Sequence, residues 1–126
     1  MKGRIVIGVI ALDQHEVGAI AIVRLLSRHG FEVIYLGCFQ TPKSMIAAAI
    51  AEGAQIVGVS CHSWEFISFA PELAALAKDE GLAVVLGGSV ITDEDAIKLR
   101  ELGIDAVFGP LATESQIIDE ITRLVA

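Results

Sequence analysis

Short apolar, β-branched runs alternate with helical segments five times along these 126 residues, and that alternation is the strongest constraint on the fold. Each run stops at a glycine or polar turn and is followed by apolar residues at helical spacing. A parallel strand pair needs a long crossover, and a crossover helix must bury its apolar stripe on the sheet. The pattern therefore predicts an α/β fold, a parallel sheet with helices on both faces. The predicted strands are Arg4–Ala11, Glu32–Leu36, Gln55–Ser60, Ala83–Leu86 and Asp105–Phe108. The predicted helices run from Glu16 to His29, from Thr41-Pro42 to just before Gly53, and from Phe66 or Pro71 to Glu80. Two more start after Thr92 or Asp93, ending before Gly103, and at Thr113, ending at Leu124. Thr41 followed by Pro42 is a helix-start signal, and Gly30 and Gly81 are stop signals. Right-handed crossovers leave few topologies, and five strands favour the flavodoxin-like (Rossmann-like) order 2-1-3-4-5. No linker or repeat divides the chain, so residues 1–126 are expected to form one domain.

That order puts a switch point at the carboxyl ends of strands 1 and 3, where ligands bind in open α/β sheets. The residues there are Leu12 to His15 and Ser60 to Trp64, with Gly87-Gly88-Ser89 and Gly109-Pro110 on the same edge. Asp13-Gln14-His15-Glu16-Val17-Gly18 is the most informative stretch among them. It holds a carboxylate two residues before an imidazole and a glycine three residues after it. The spacing suits a histidine that coordinates through one ring nitrogen while a carboxylate holds the other. Simpler roles exist for each residue. Asp13 also suits a helix N-cap, Gly87-Gly88 suits a turn, and Ser60 alone is a weak signal. Gly18 in the first helical turn costs up to about 1 kcal/mol relative to alanine, which a ligand lying close to the backbone would justify. His29 ends a helix and meets its dipole favourably. His62 lies on the rim and is either a ligand contact or solvent-facing. Trp64, Phe66 and Phe69 read as packing residues.

Other folds of this topology fit poorly. A phosphoaccepting receiver needs an aspartate after strand 3 and a lysine after strand 5, where this chain has Ser60 and Gly109-Pro110. A flavodoxin needs a Ser/Thr-rich phosphate loop after strand 1, and a dinucleotide fold needs G-x-G-x-x-G there; Leu12 to His15 is neither. A net charge of −7 without a basic patch argues against a nucleic-acid partner. No apolar run reaches the roughly 18 residues of a membrane helix. The start lacks a signal-peptide cleavage region, and Cys38 and Cys61 lack metal-type spacing, so a cytoplasmic protein with two reduced thiols is expected. Mean hydropathy is high at +0.66. The first helix carries Ala19, Ile20, Ala21, Ile22, Val23, Leu25 and Leu26, more than a stripe facing one sheet requires. Either its own fold encloses it or part of it meets another chain.

The motifs together resemble the cobalamin-binding domain of the coenzyme-dependent carbon-skeleton mutases. That family carries D-x-H-x-x-G after strand 1, S-x-L after strand 3 and G-G after strand 4. This chain has Asp13 to Gly18, Ser60-Cys61-His62 and Gly87-Gly88, in order and at the expected separations. Phe39-Gln40-Thr41-Pro42 and Val107-Phe108-Gly109-Pro110 look like the methylmalonyl-CoA mutase branch; Gly8-Val9-Ile10 before Asp13 is closer to the glutamate mutase small subunit. The resemblance implies adenosylcobalamin bound base-off, with His15 as the lower axial cobalt ligand and Asp13 on its other ring nitrogen. Gln14, Glu16, Val17 and Gly18 complete that segment of the cofactor site. The displaced nucleotide tail would enter a slot between strand 1, helix 1 and strand 3. Ser60, and His62 if it faces the slot, would contact the tail; Gly87 and Gly88 would admit it; Phe108 and Gly109 would cover it. Three departures stand out. His62 and Glu65 replace the usual leucine and glycine, Leu111-Ala112 replaces Gly-Thr, and Val9 replaces a lysine. The first two are expected to reshape the tail slot. The family's substrate and radical sit in a (β/α)8 barrel, which 126 residues cannot supply. A stand-alone small subunit that needs a large barrel subunit is therefore implied, with a homo-oligomer possible. A corrinoid methyl carrier is the rival class, disfavoured because only three residues precede strand 1. A module of this fold that has lost the cofactor is the third.

Overall fold

The structure, a computed structural model, describes residues 2–10, 16–61 and 63–126. It contains a five-stranded, all-parallel sheet in the order β2-β1-β3-β4-β5. In chain order the elements are β1 (Arg4–Ile10), α1 (Glu16–Arg28), β2 (Glu32–Gln40), α2 (Pro42–Glu52), β3 (Ile56–Ser60) and α3 (Phe66–Asp79). They continue with β4 (Ala83–Gly87), α4 (Asp93–Glu101), β5 (Ala106–Phe108) and α5 (Glu114–Val125). The predicted topology is the observed one.

Helix starts are set by threonines. The side chains of Thr41, Thr92 and Thr113 each accept a hydrogen bond from the backbone N–H of the third helical residue, and their own backbone N–H donates to that residue's side chain, Ser44, Asp95 and Gln116 respectively. Two otherwise orphaned donors are satisfied at each start. α3 differs: it starts at Phe66 without a side-chain cap, and Pro71 stands inside it. Proline cannot donate to the preceding turn, so α3 carries one missing helical bond on its exposed side.

Strand alternation splits the interior in two. Val6, Ile10, Val57, Val59, Val84, Leu86 and Val107 face α2, α3 and α4 and form a dense core with Met45, Phe66 and Leu73. Ile5, Ile7, Val9, Ile56, Val85 and Ala106 face the other way, with Leu25 and Leu26 of α1 and Ile117 and Ile121 of α5. On this second face β3 and β4 continue with glycine, at Gly58 and Gly87, where the neighbouring strand positions carry isoleucine and valine.

β2 runs four residues past its predicted end at Leu36. The extension is irregular. Ile7 pairs with Tyr35, Gly8 with Gly37 and Ile10 with Gln40, so β2 carries two more residues than β1 over this stretch. Two of them take the left-handed backbone region, Gly37 at φ 85° and Phe39 at φ 63°. Glycine does so freely; phenylalanine does so at a cost of about 1–2 kcal/mol. A sequence reading places a strand end at the glycine, whereas pairing with β1 carries the strand through it.

Candidate functional site

A cavity of about 390 Å³ opens on the carboxyl edge of the sheet and runs down between the sheet, α1 and α5. Its volume falls in the range of about 300–1,000 Å³ typical of small-ligand pockets. The floor is Ile5 and Ile7 of β1, Ile56, Gly58 and Ser60 of β3, and Val85 and Gly87 of β4. Gly18, Ala19, Ala21, Ile22 and Leu26 of α1 form one wall, and Ile117 and Ile121 of α5 the other. Gly88, Ser89, Phe108, Gly109, Pro110 and Ala112 surround the mouth. The lining is mostly apolar, with the hydroxyls of Ser60 and Ser89 as its side-chain polar groups.

The void has a local cause. Pleating directs Gly58 and Gly87 at this face, where side chains would otherwise fill the space. A β-carbon on Gly58 would come within 3.3 Å of Ile7 Cγ1, a tight fit. On Gly87 it would meet, among the described residues, only Phe108, at 3.6 Å, so packing against them does not require glycine there. Gly88 is different. Its β-carbon would overlap the Cys61 carbonyl oxygen. Backbone pairing continues past the strand ends here: Cys61 N–H donates to Gly87 O at 2.6 Å and Gly88 N–H to Phe108 O at 3.0 Å. Gly88 is thus needed to close the sheet.

The apolar excess of α1 also finds its explanation. Ala19, Leu25 and Leu26 are buried against the sheet, while Gly18, Ala21 and Ile22 line the cavity. Ala21 and Ile22 of the surplus stripe thus face the void, while Ile20 is exposed.

Of the residues singled out in the sequence, the cavity brings together Gly18, Ser60, Gly87, Gly88, Phe108 and Gly109. Glu16 and Val17 lie outside it. Val17 is 85% exposed, and Glu16 accepts a 2.6 Å hydrogen bond from the Tyr35 hydroxyl, which ties the first residue of α1 to β2. Asp13, Gln14, His15 and His62 lie outside the described residues. The cavity mouth is at the edge where β1 leaves the sheet toward that segment. Of the departures, Val9 is fully buried in the α1–α5 core. Leu111, 92% exposed, and Glu65 do not line the cavity, whereas Ala112 does.

Sequence reasoning placed Ser89 on the rim and missed Ala21, Ile22 and the helix α5 wall as cavity lining. The signal lay in Gly58, an isolated glycine inside a strand, which marks close backbone approach or missing side-chain volume. Exposed apolar groups collect on the same rim: Val17, Phe39, Trp64 and Leu111. Trp64 leans on the buried Phe66, ring centroids 6.1 Å apart. No described helix is long and apolar enough to cross a membrane.

The sequence matches the B12 binding domain family over residues 3–117. It is 34% identical over 125 residues to the 2-hydroxyisobutanoyl-CoA mutase small subunit of Aquincola tertiaricarbonis, covering 98% of this chain and 92% of that one. It is 36% identical over 110 residues to the ethylmalonyl-CoA mutase of Methylorubrum extorquens, of which the match spans only 16%. Among solved structures, a cobalamin-binding protein from Desulfitobacterium hafniense superposes with a TM-score of 0.81 at 22% identity, over 98% of this chain and 60% of that one. The monomethylamine corrinoid protein of Methanosarcina barkeri gives 0.80 at 19% identity, over 96% and 58%. At these identities the superpositions establish the fold.

Proposed function

The chain belongs to the B12 binding domain family, and from that premise we propose that it is the adenosylcobalamin-holding small subunit of an acyl-CoA mutase. The observation that carries the reading is the bare slot at Gly58 and Gly87, opening beside the strand that leads into Asp13-Gln14-His15. A cavity of about 390 Å³ suits a flat heteroaromatic tail rather than a whole cobalamin, which fits base-off binding with the macrocycle left on the rim. Similarity to a free-standing mutase small subunit over nearly its whole length supports the mutase role over a methyl carrier.

His15 would hold the cobalt through one ring nitrogen, and Asp13 would accept a hydrogen bond from the other, fixing the tautomer and raising ligand basicity. Ser60 offers its hydroxyl to the tail base. Gly87 leaves the slot its width, and Phe108 with Gly109 shields its mouth from water. When bound, adenosylcobalamin supplies homolytic cleavage of the upper cobalt–carbon bond, the entry to carbon-skeleton rearrangement. The protein's part is to hold and orient. The substrate and the reacting radical belong to a separate (β/α)8-barrel chain.

Titration with cobalamin, followed by visible absorption, is expected to show one base-off cobalamin per chain. Electron paramagnetic resonance of the cob(II)alamin form, with nitrogen-15 histidine incorporated, is expected to show the label coupled to cobalt. His15→Ala removes that coupling, and Asp13→Ala weakens binding by about 10- to 100-fold while leaving the fold intact. An unchanged spectrum in both variants refutes the axial assignment.

A further inference from the structure

Phe39 occupies an unfavourable position by every local measure. A bulky side chain in the left-handed backbone region is a steric outlier, and such outliers persist only where the surroundings enforce them. Burial does not offset the strain, because the residue is 60% exposed. The enforcement comes from both sides. Gly37 before it is also left-handed, at φ 85°. After it, the Gln40 amide donates to Leu36 O and accepts from Ser44 Oγ, both at 2.8 Å. Thr41 and Ser44 then lock the start of α2. The double bulge in β2 is thus tied down at each end, and a bulge of this kind re-aims a side chain at a sheet rim.

The aim has a direction. Gln40 pairs with Ile10, the last described residue of β1 before Asp13-Gln14-His15. In the strand order β2-β1-β3, Phe39 stands on one side of the β1 exit and Trp64 on the other. Both residues therefore stand on the rim on either side of the last described residue of β1.

We propose that Phe39 is a corrin-binding residue, a ring held out on the rim by the strained end of β2 to pack against the macrocycle beside the His15 segment. The assignment rests on the cobalamin reading above. It makes the Phe39 turn a preformed platform whose strain is tolerated in the free chain and offset on binding.

Phe39→Gly separates this role from a packing role. The left-handed backbone is unstrained for glycine, so the cofactor-free variant is expected to unfold at the same temperature as the parent or higher. Its affinity for aquocobalamin and adenosylcobalamin, read by visible titration, is expected to fall roughly 10-fold through loss of aromatic contact. Phe39→Asn, also tolerant of this backbone, is expected to behave alike. A lowered unfolding temperature in both variants identifies Phe39 as a packing residue and overturns the proposal. So does unchanged cobalamin affinity, including the case where only association with a barrel chain is weakened. If the parent chain binds no cobalamin, the functional reading itself falls, and this inference with it.

Discussion

A β-carbon on Gly88 would overlap the carbonyl oxygen of Cys61, whereas one on Gly87 would sit in the open slot at ordinary contact distance from Phe108. The two neighbours therefore answer to different constraints. Gly88→Ala is expected to cost the cofactor-free protein about 3 kcal/mol or more, because the backbone of two strands must separate to admit the methyl group. Gly87→Ala is expected to leave stability within about 0.5 kcal/mol and to weaken cobalamin binding by about 10- to 100-fold, through overpacking of the tail. Urea unfolding and visible titration of the two variants check this; equal loss of stability in both would show that the slot is not sterically free at Gly87. From the sequence the doublet was legible only as a pair near the site. The distinction depends on Cys61, which comes close only when β3 and β4 are side by side. The spacing of Asp13 and His15 reads as metal-ligating chemistry, and that segment lies outside the described residues.

At the scale of elements, α1 is tied to the edge strand by one hydrogen bond from Tyr35 to Glu16, the residue that follows His15. Burial first, and then the Glu16 carboxylate, hold the Tyr35 hydroxyl well above the ordinary tyrosine pKa. The unfolded chain therefore ionises first. The contribution of protonated Tyr35 is complete below about pH 10 and is lost progressively as pH rises from there toward the folded value. Tyr35→Phe is expected to lower stability by about 1 kcal/mol at pH 8, and to remove this part of the alkaline decline. Urea midpoints from pH 8 to 11.5 measure both effects; parallel curves for variant and parent would refute the coupling. Element types and order were legible because apolar period and threonine or glycine punctuation agreed along the chain. The end of β2 was not, and the start of α3 was legible only as two alternatives, Phe66 or Pro71, of which the structure takes the first. Gly37 and Pro71 are breaker residues locally, and each is overridden by a neighbour: pairing with β1 in one case, packing of Phe66 and Ala70 in the other.

The slot opens on the carboxyl edge of the sheet, and exposed apolar groups at Val17, Trp64 and Leu111 stand on the same rim. This arrangement supports a partner that covers the rim. Loaded with adenosylcobalamin, the purified chain is expected to show no isomerase turnover with any acyl-CoA. Addition of the cognate barrel chain is expected to create activity and to shield Trp64 from hydroxyl-radical labelling. Turnover by the chain alone would refute the subunit role, and methyl transfer without mutase activity in any pairing would favour a carrier. The surplus of apolar residues in α1 was visible in the sequence, but its destination was not. A helical stripe does not reveal whether it meets a partner, a core or an empty slot, and here the glycines of two other strands decide.

The double bulge that lifts Phe39 onto the rim has a second effect, at the side of the sheet. A long, regular outer strand presents unpaired amides and carbonyls that can template another chain. β2 loses its regular register over its last third, and the opposite border strand, β5, is only three residues long. Both borders of the sheet are thereby poor templates, so the chain is kept from adding strands to itself, and its sheet ends where its own sequence ends it.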